Sequence, residues 1–168
     1  MRTSLILAGF AAAAIAACII VYVMSGTVPA AVSGQPSSEG TLVPAELLVA
    51  GAQSSVTDRV NYLITSSAEF GELWSLIQAT GTMPAVDFST HSVLAVFAGQ
   101  EPTAGYAIGV SKVEDTSDGR KVTIALSKPG SDCVTAAVIT TPFELVSVPK
   151  TTLPLSHEDA VATTSCTQ

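Results

Sequence analysis

Residues 93–106 read VLAVFAGQEPTAGY, and the other predicted elements can be placed around them. The apolar, β-prone run at 93–98 ends in a cluster of Gly, Pro and Thr, and apolar residues resume after Tyr106, which predicts a strand, a shaped loop and a second strand. Pro102 fixes its own φ and Gly105 can adopt a positive φ, so we expect a hairpin with one defined loop. A loop held between strands can bind a partner, although spacing alone favours a loop that only turns the chain.

One helix is predicted before this stretch. Residues 60–65 alternate as a strand, and Ser66 with Glu69 forms a capping-box pattern at the start of a helix that should run to about residue 79. Four apolar side chains then fall at helical spacing, which predicts a face that packs on a sheet with Trp74 as its largest buried ring. These side chains are Phe70, Leu73, Trp74 and Ile77.

Several strands are predicted after the loop. The turn at 115–119 should close a hairpin whose strands cover residues 106–113 and 120–127. Residues 134–140 are β-prone, and residues 143–148 should form the last strand; residues 45–52 suit either a short strand or a turn of helix. The count is five to seven strands and one helix, so we expect a mainly antiparallel β fold, either a sandwich or a helix-covered sheet.

Composition separates the start of the chain from the rest. Hydrophobic residues make up 48% of the 168 residues and charged residues 12%, which suits a chain with a membrane segment. Residues 5–24, LILAGFAAAAIAACIIVYVM, carry no charge and are long enough to cross a bilayer as a helix. Because Arg2 precedes this segment and the next base is Arg59, residues 1–4 should be cytoplasmic and the remainder should lie outside the membrane.

Two alternatives to a retained anchor both depend on processing. Residues 15–18, IAAC, resemble a bacterial lipobox, which would place a lipid on Cys18, and the small residues at 11–17 could instead precede a signal-peptide cleavage site. Six apolar residues follow Cys18, which favours the uncleaved anchor over a lipoprotein and a lipoprotein over secretion. All three alternatives place the domain outside the cytoplasm.

The remaining segments are a linker, a domain and a tail. Residues 25–44 are rich in Gly, Ser, Pro and Ala and should form a flexible linker. The domain should occupy 45–150, and the polar, Thr-rich tail at 151–168 should be loose. Outside the membrane the chain has only Cys133 and Cys166, which can pair in an oxidising compartment and tie the tail down; two free thiols are an equal alternative.

The domain resembles a known family over residues 93–150. Five positions carry the resemblance, in a pattern of glycine, Pro-Thr and Gly-Tyr, and a proline after a strand at 128–129 and a Pro-aromatic strand at 141–146 extend it. The segment is similar to the C-terminal domain of the PrcB family, subunits of bacterial surface protease complexes. Ala104 departs from the family, which often has glycine there. The five positions are Gly99, Pro102, Thr103, Gly105 and Tyr106.

The resemblance implies a non-catalytic subunit that binds a protein partner, possibly a protease, through the loop. No motif for hydrolysis, phosphate binding or metal binding accompanies the two histidines, His91 and His157, so we expect no catalysis, cofactor or metal. The net charge of −7 disfavours nucleic acid. Two other functions stay open. Residues 101–106 also resemble the loop of chagasin-type cysteine protease inhibitors, and the domain could be a structural module of the envelope.

Overall fold

The computed structural model describes residues 40–78 and 81–166, which belong to a unit spanning Ser38–Gln168. The predicted anchor at 5–24 and most of the predicted linker lie outside the described residues. Within these two described ranges, no helix is long and apolar enough to cross a membrane.

The described residues form eight strands and one helix, mainly β as predicted. The strands make two four-stranded sheets, with the order β1-β5-β6-β8 in the first and β2-β7-β4-β3 in the second. All neighbours are antiparallel except β6 and β8, which are parallel. The elements are β1 Thr41–Leu42, β2 Glu46–Gly51, β3 Val60–Ile64, α1 Ser67–Leu76, β4 His91–Phe97, β5 Ala107–Thr116, β6 Gly119–Pro129, β7 Phe143–Pro149 and β8 Leu155–Thr164.

The second sheet lies between the first sheet and the helix. Alternate residues of β4 point to opposite faces: Val93, Ala95 and Phe97 pack in one apolar cluster with the helix, while Leu94 and Val96 pack in another with the first sheet. The fold therefore combines the two predicted alternatives, a sandwich of two sheets with a helix on the outer face of one. This explains why the stretch quoted first is continuously apolar.

The helix begins as predicted and ends earlier. Ser66 accepts a hydrogen bond from the Glu69 N–H, and the Glu69 carboxylate accepts from the Ser66 N–H, which completes the capping box. The last helical residue is Leu76 rather than about 79. Phe70 is fully buried, whereas Trp74 is only partly buried at the margin of the cluster, so the prediction of Trp74 as the largest buried ring was wrong. Its indole packs edge-on against Phe70 instead.

The predicted hairpin around residues 99–105 is also wrong. β4 pairs with β3 and β7, and β5 pairs with β1 and β6, so the connection between β4 and β5 passes from one sheet to the other. A buried strand needs partners on both edges to satisfy its backbone groups, and β4 finds them in its own sheet. The hairpin predicted at 115–119 is confirmed, since β5 and β6 pair up to Thr116 and Gly119.

Residues 134–140 do not form the predicted strand. They make one isolated bridge, between Thr140 and Glu101, and Val134 is fully exposed. The loop that leaves β4, rather than a strand, lies beside this segment, so its backbone has no ladder to join.

The tail that was predicted to be loose contains a ten-residue strand, so β7 is not the last strand. Ten residues of β8 pair in register with β6, from Leu155 opposite Arg120 to Thr164 opposite Pro129. Every residue of β8 is exposed, so its sequence has no alternation of apolar and polar residues that would predict a strand. With β1, formed at the end of the predicted linker, β8 raises the number of strands above the predicted five to seven.

Candidate protein-binding surface

The loop of residues 99–106 begins at a position that only glycine fits. Gly99 has a φ of +86°, in the left-handed region, and a Cβ there would lie 2.9 Å from the Arg59 backbone nitrogen and 3.0 Å from the Thr57 carbonyl oxygen. The next residue, Gln100, donates its N–H to that same Thr57 oxygen over 2.9 Å. The start of the loop is thus fixed against the segment before β3.

The middle of the loop is held by residues 134–140. The N–H of Glu101 donates to the Thr140 carbonyl over 2.8 Å, and the Thr140 N–H donates back over 3.0 Å. The Thr140 hydroxyl donates to the Thr103 carbonyl, and the Ala104 N–H donates to the Ala136 carbonyl. Four hydrogen bonds between two irregular segments give the loop the one defined shape expected of it.

The end of the loop packs on the last residue of β6 and on the 134–140 segment. Gly105 has a φ of +95°, and a Cβ there would contact Pro129 and Thr135 at 3.3 and 3.4 Å. Pro129 is one of the positions that carry the family resemblance, and the structure places it next to the Gly-Tyr end of the loop. Tyr106 is half-buried and lines a small cavity of about 100 Å³ together with Glu101 and Lys128.

Glu101 is the electrostatic feature of the loop. Its carboxyl group is partly buried, and this burial raises its pKa, because removal from water penalises the charged form. The loop therefore presents a carboxylate that is partly desolvated.

Exposed apolar side chains flank the loop. Val134 is fully exposed, Ile139 is 57% exposed and Val138 is 47% exposed, and Pro102 projects from the loop itself. We call residues 99–106 and 134–140 together the loop surface. A cluster of exposed apolar residues on a rigid support is typical of protein-binding sites. The apolar character of residues 134–140 is visible in the sequence, but it predicted a strand there. The part of the loop surface that these residues form was therefore not predicted.

A disulfide anchors the loop surface to the end of the chain. Cys133 and Cys166 are bonded, with their Cα atoms 5.0 Å apart. The bond joins the residue just before the 134–140 segment to the residues just after β8, and the Gly130 N–H donates to the Thr164 carbonyl beside it. The tail and the loop surface are therefore tied together.

The histidines lie apart from this surface. His91 begins β4, where its Nδ1 lies 2.9 Å from the Thr90 hydroxyl, and His157 lies on exposed β8. In the ranges that the structure describes, no three residues among His, Cys, Asp and Glu form a group that could hold a metal ion. The loop surface itself offers a hydrogen-bonded backbone framework, exposed apolar side chains and one carboxylate, which suit binding.

Comparison with known families identifies this part of the chain. Residues 92–149 match the family model described as PrcB C-terminal, which confirms the resemblance found from the loop residues. The matched segment runs from β4 to the end of β7 and contains the whole loop surface. The match is consistent with a domain associated with a protease complex. The comparisons with curated proteins and with solved structures found no match.

Proposed function

We propose that this chain is a non-catalytic accessory subunit of an extracytoplasmic protease complex. The proposal starts from the match of residues 92–149 to the PrcB C-terminal family. The loop surface is the contact with the protein partner. The observation that carries the proposal is that the matched segment contains a rigid loop with exposed apolar residues beside it. A rigid apolar surface loses little conformational entropy when it binds.

The same proposal includes a membrane location. Residues 5–24 anchor the chain, with residues 1–4 in the cytoplasm and the domain outside. The disulfide supports an exported domain, because such bonds persist mainly in oxidising compartments. Carbonate extraction and protease protection of intact cells test this location. Loss of the membrane association after a Cys18→Ser substitution would identify a lipoprotein instead.

The binding test uses the full chain as bait in a pull-down from detergent-solubilised native membranes. One variant carries Pro102→Ala, Val138→Ser and Ile139→Ser, all on exposed parts of the loop surface. A matched control carries Leu42→Ser and Leu47→Ser, two apolar residues of similar exposure on β1 and β2. We expect a protease to be recovered with the native chain and with the control, and to be lost with the loop variant.

Two outcomes would overturn the proposal. Equal recovery with the loop variant would place the contact elsewhere, and recovery of no protease from a folded bait would leave a structural module as the better interpretation. Inhibition of a papain-like protease at micromolar concentration would instead favour the chagasin-type function. Circular dichroism of each bait shows whether it is folded, so that a lost interaction is not confused with unfolding.

A further inference from the structure

Three of the four sheet edges in the described residues carry a feature that prevents pairing with another chain. β1 is only two residues long, β2 has a bulge between Leu47 and Val49, and β8 carries charged Glu158 and Asp159. Short strands, bulges and charges are the usual protections of an edge. β3 has none of them: its five residues, VNYLI, include no charge and no proline.

A groove runs along the unprotected edge of β3. Its volume is about 420 Å³, within the range of ligand-binding clefts. The groove is lined by four of the five residues of β3, Val60–Leu63, and because successive residues point to opposite faces, contact with four in a row places the groove along the strand's free edge. The other wall is Leu155, Ser156 and His157 at the start of β8.

The floor of this groove is apolar. β3 and β8 are edge strands of different sheets and do not pair with each other. The groove between them reaches four side chains of the core that lies between the sheets. Leu63 and Tyr62 at its rim are 49% and 40% exposed. An extended chain of about five residues, or roughly 17 Å, would match the length of β3 and cover these side chains. The four core residues are Leu94, Val96, Val122 and Ile124.

The charge of the groove indicates what the occupant carries. Arg59 and His157 are its basic side chains, and none of the described residues that line it has a carboxylate. The Arg59 guanidinium donates to Asn61, to the Phe97 carbonyl and to Asp159, but its Nε–H has no acceptor in the described part of the chain. Arg59 is ion-paired with Asp159, so a carboxylate of the occupant near this end of the groove would share its guanidinium.

We propose that the free edge of β3 binds an extended peptide segment of a partner protein, which adds a strand to the second sheet, fills the groove with apolar side chains and places a carboxylate near Arg59. Addition of a strand to an exposed edge is a common mode of peptide recognition. A second copy of this chain fits less well, because β3 offers no carboxylate to the Arg59 of another copy and both copies are acidic. This proposal does not depend on the loop surface.

The test measures the binding of a labelled seven-residue peptide. Thr and Val alternate over its first six residues, Glu is the seventh, and its ends are capped by an acetyl and an amide group. The full chain in mild detergent is the receptor. A Leu63→Lys variant introduces a charge at the rim of the groove, and Leu47→Lys is the matched control on the opposite edge of the same sheet. We expect Leu63→Lys to weaken binding roughly tenfold or more, since the lysine charge would be buried by the peptide, and Leu47→Lys to leave it unchanged.

Two further peptides test the mode of binding. Replacement of Glu by Lys should weaken binding, and methylation of every internal amide nitrogen should abolish it, because strand pairing requires those N–H groups. Bound peptide should also slow hydrogen exchange at residues 60–64. Absence of binding at millimolar peptide, or equal binding by the Leu63→Lys variant, would overturn the proposal. A concentration-dependent dimer that is lost only in Leu63→Lys would assign the edge to a second copy instead.

Discussion

Strands β4 and β8 are held in the same fold by different means. Six of the seven residues of β4 are buried, and the strand has partners on both edges. All ten residues of β8 are exposed, and the strand has one partner, β6. β4 is stabilised by apolar contacts on both of its faces, whereas β8 is stabilised by ladder hydrogen bonds, one exposed and one partly exposed ion pair, and a disulfide.

This difference shows that strand pairing and burial are separable contributions to the fold. Burial of apolar surface contributes most of the free energy of folding, so β4 should behave as part of the cooperative core. Exposed ion pairs contribute little each, so β8 should depend on its covalent tie. β4 and β8 also lead into the two ends of the loop surface, through Gly99 and through the disulfide. Changes to either strand therefore test how this surface is supported.

The largest effect is expected from Phe97→Ala in β4. Phe97 is fully buried and packs against Phe143, Tyr62 and the helix cluster, so the substitution removes a whole ring from the core. We expect the free energy of unfolding to fall by about 3–5 kcal/mol. Urea denaturation followed by circular dichroism measures this change.

Val161→Ala in β8 is the matched control, because Val161 is an apolar strand residue that is 64% exposed. Its effect should stay within about 0.5 kcal/mol. A comparable loss of stability in both variants would contradict the contrast between the strands, since it would mean that β8 is stabilised by burial too.

The same contrast explains what the sequence could predict. Local patterns determined several elements correctly: the apolar run of β4, the capping box of Ser66 and Glu69, and the turn between β5 and β6. Each depends on residues close together in the chain. The defined shape of the loop also follows from local chemistry, since proline fixes φ and glycine admits a positive φ, but the five loop positions themselves came from the family resemblance.

Features that depend on distant residues were not predictable. A tail without apolar alternation gives no indication that it will pair with β6. Residues 134–140 are β-prone, yet they lie beside a loop and so support it rather than joining a sheet. Glu144 is another example: its carboxylate reaches from β7 to the Val110 N–H at the bulge of β5, in the other sheet. No local sequence pattern predicts a contact between two residues that are so far apart in the chain.

An intermediate effect is expected when the disulfide is removed by Cys133→Ser with Cys166→Ser. The bond closes a loop with a sequence separation of 33, and a chain-entropy estimate for that length gives a loss of stability of about 3–4 kcal/mol, an upper value since such estimates often exceed measurement. We expect β8 amides to exchange hydrogen faster, with a much smaller change in β4. Hydrogen exchange with mass spectrometry compares the two strands directly.

Treatment of the native chain with a reductant is the control for the disulfide variant, because it breaks the same bond without changing the sequence. Reduction should reproduce the faster exchange of β8. Unchanged exchange in β8 in both experiments would show that the ladder with β6 is sufficient to hold the strand, and the covalent tie would then have no part in supporting the loop surface.

The smallest effect is expected at two glutamates whose pKa values shift in opposite directions. Glu101, in the loop after β4, has a raised pKa because of burial, so its charge opposes folding above that pKa. Glu101→Gln should therefore raise stability slightly at pH 7, by less than about 0.5 kcal/mol. This gain in stability should disappear as the pH falls below the ordinary glutamate pKa of about 4.5, where Glu101 is neutral in both the folded and the unfolded state.

Glu158 on β8 gives the opposite sign. A hydrogen bond from Lys121 holds its pKa below the ordinary value, so its charge favours folding above about pH 4.5, and that contribution is lost as the pH falls through the lowered pKa. Glu158→Gln should lower stability at pH 7, and the difference should vanish in acid. Thermal unfolding of both variants between pH 3 and pH 7 measures the two differences. Changes of the same sign would show that the Glu101 carboxylate is as well solvated or paired as the Glu158 carboxylate, and the loop surface would then have no partly desolvated charge.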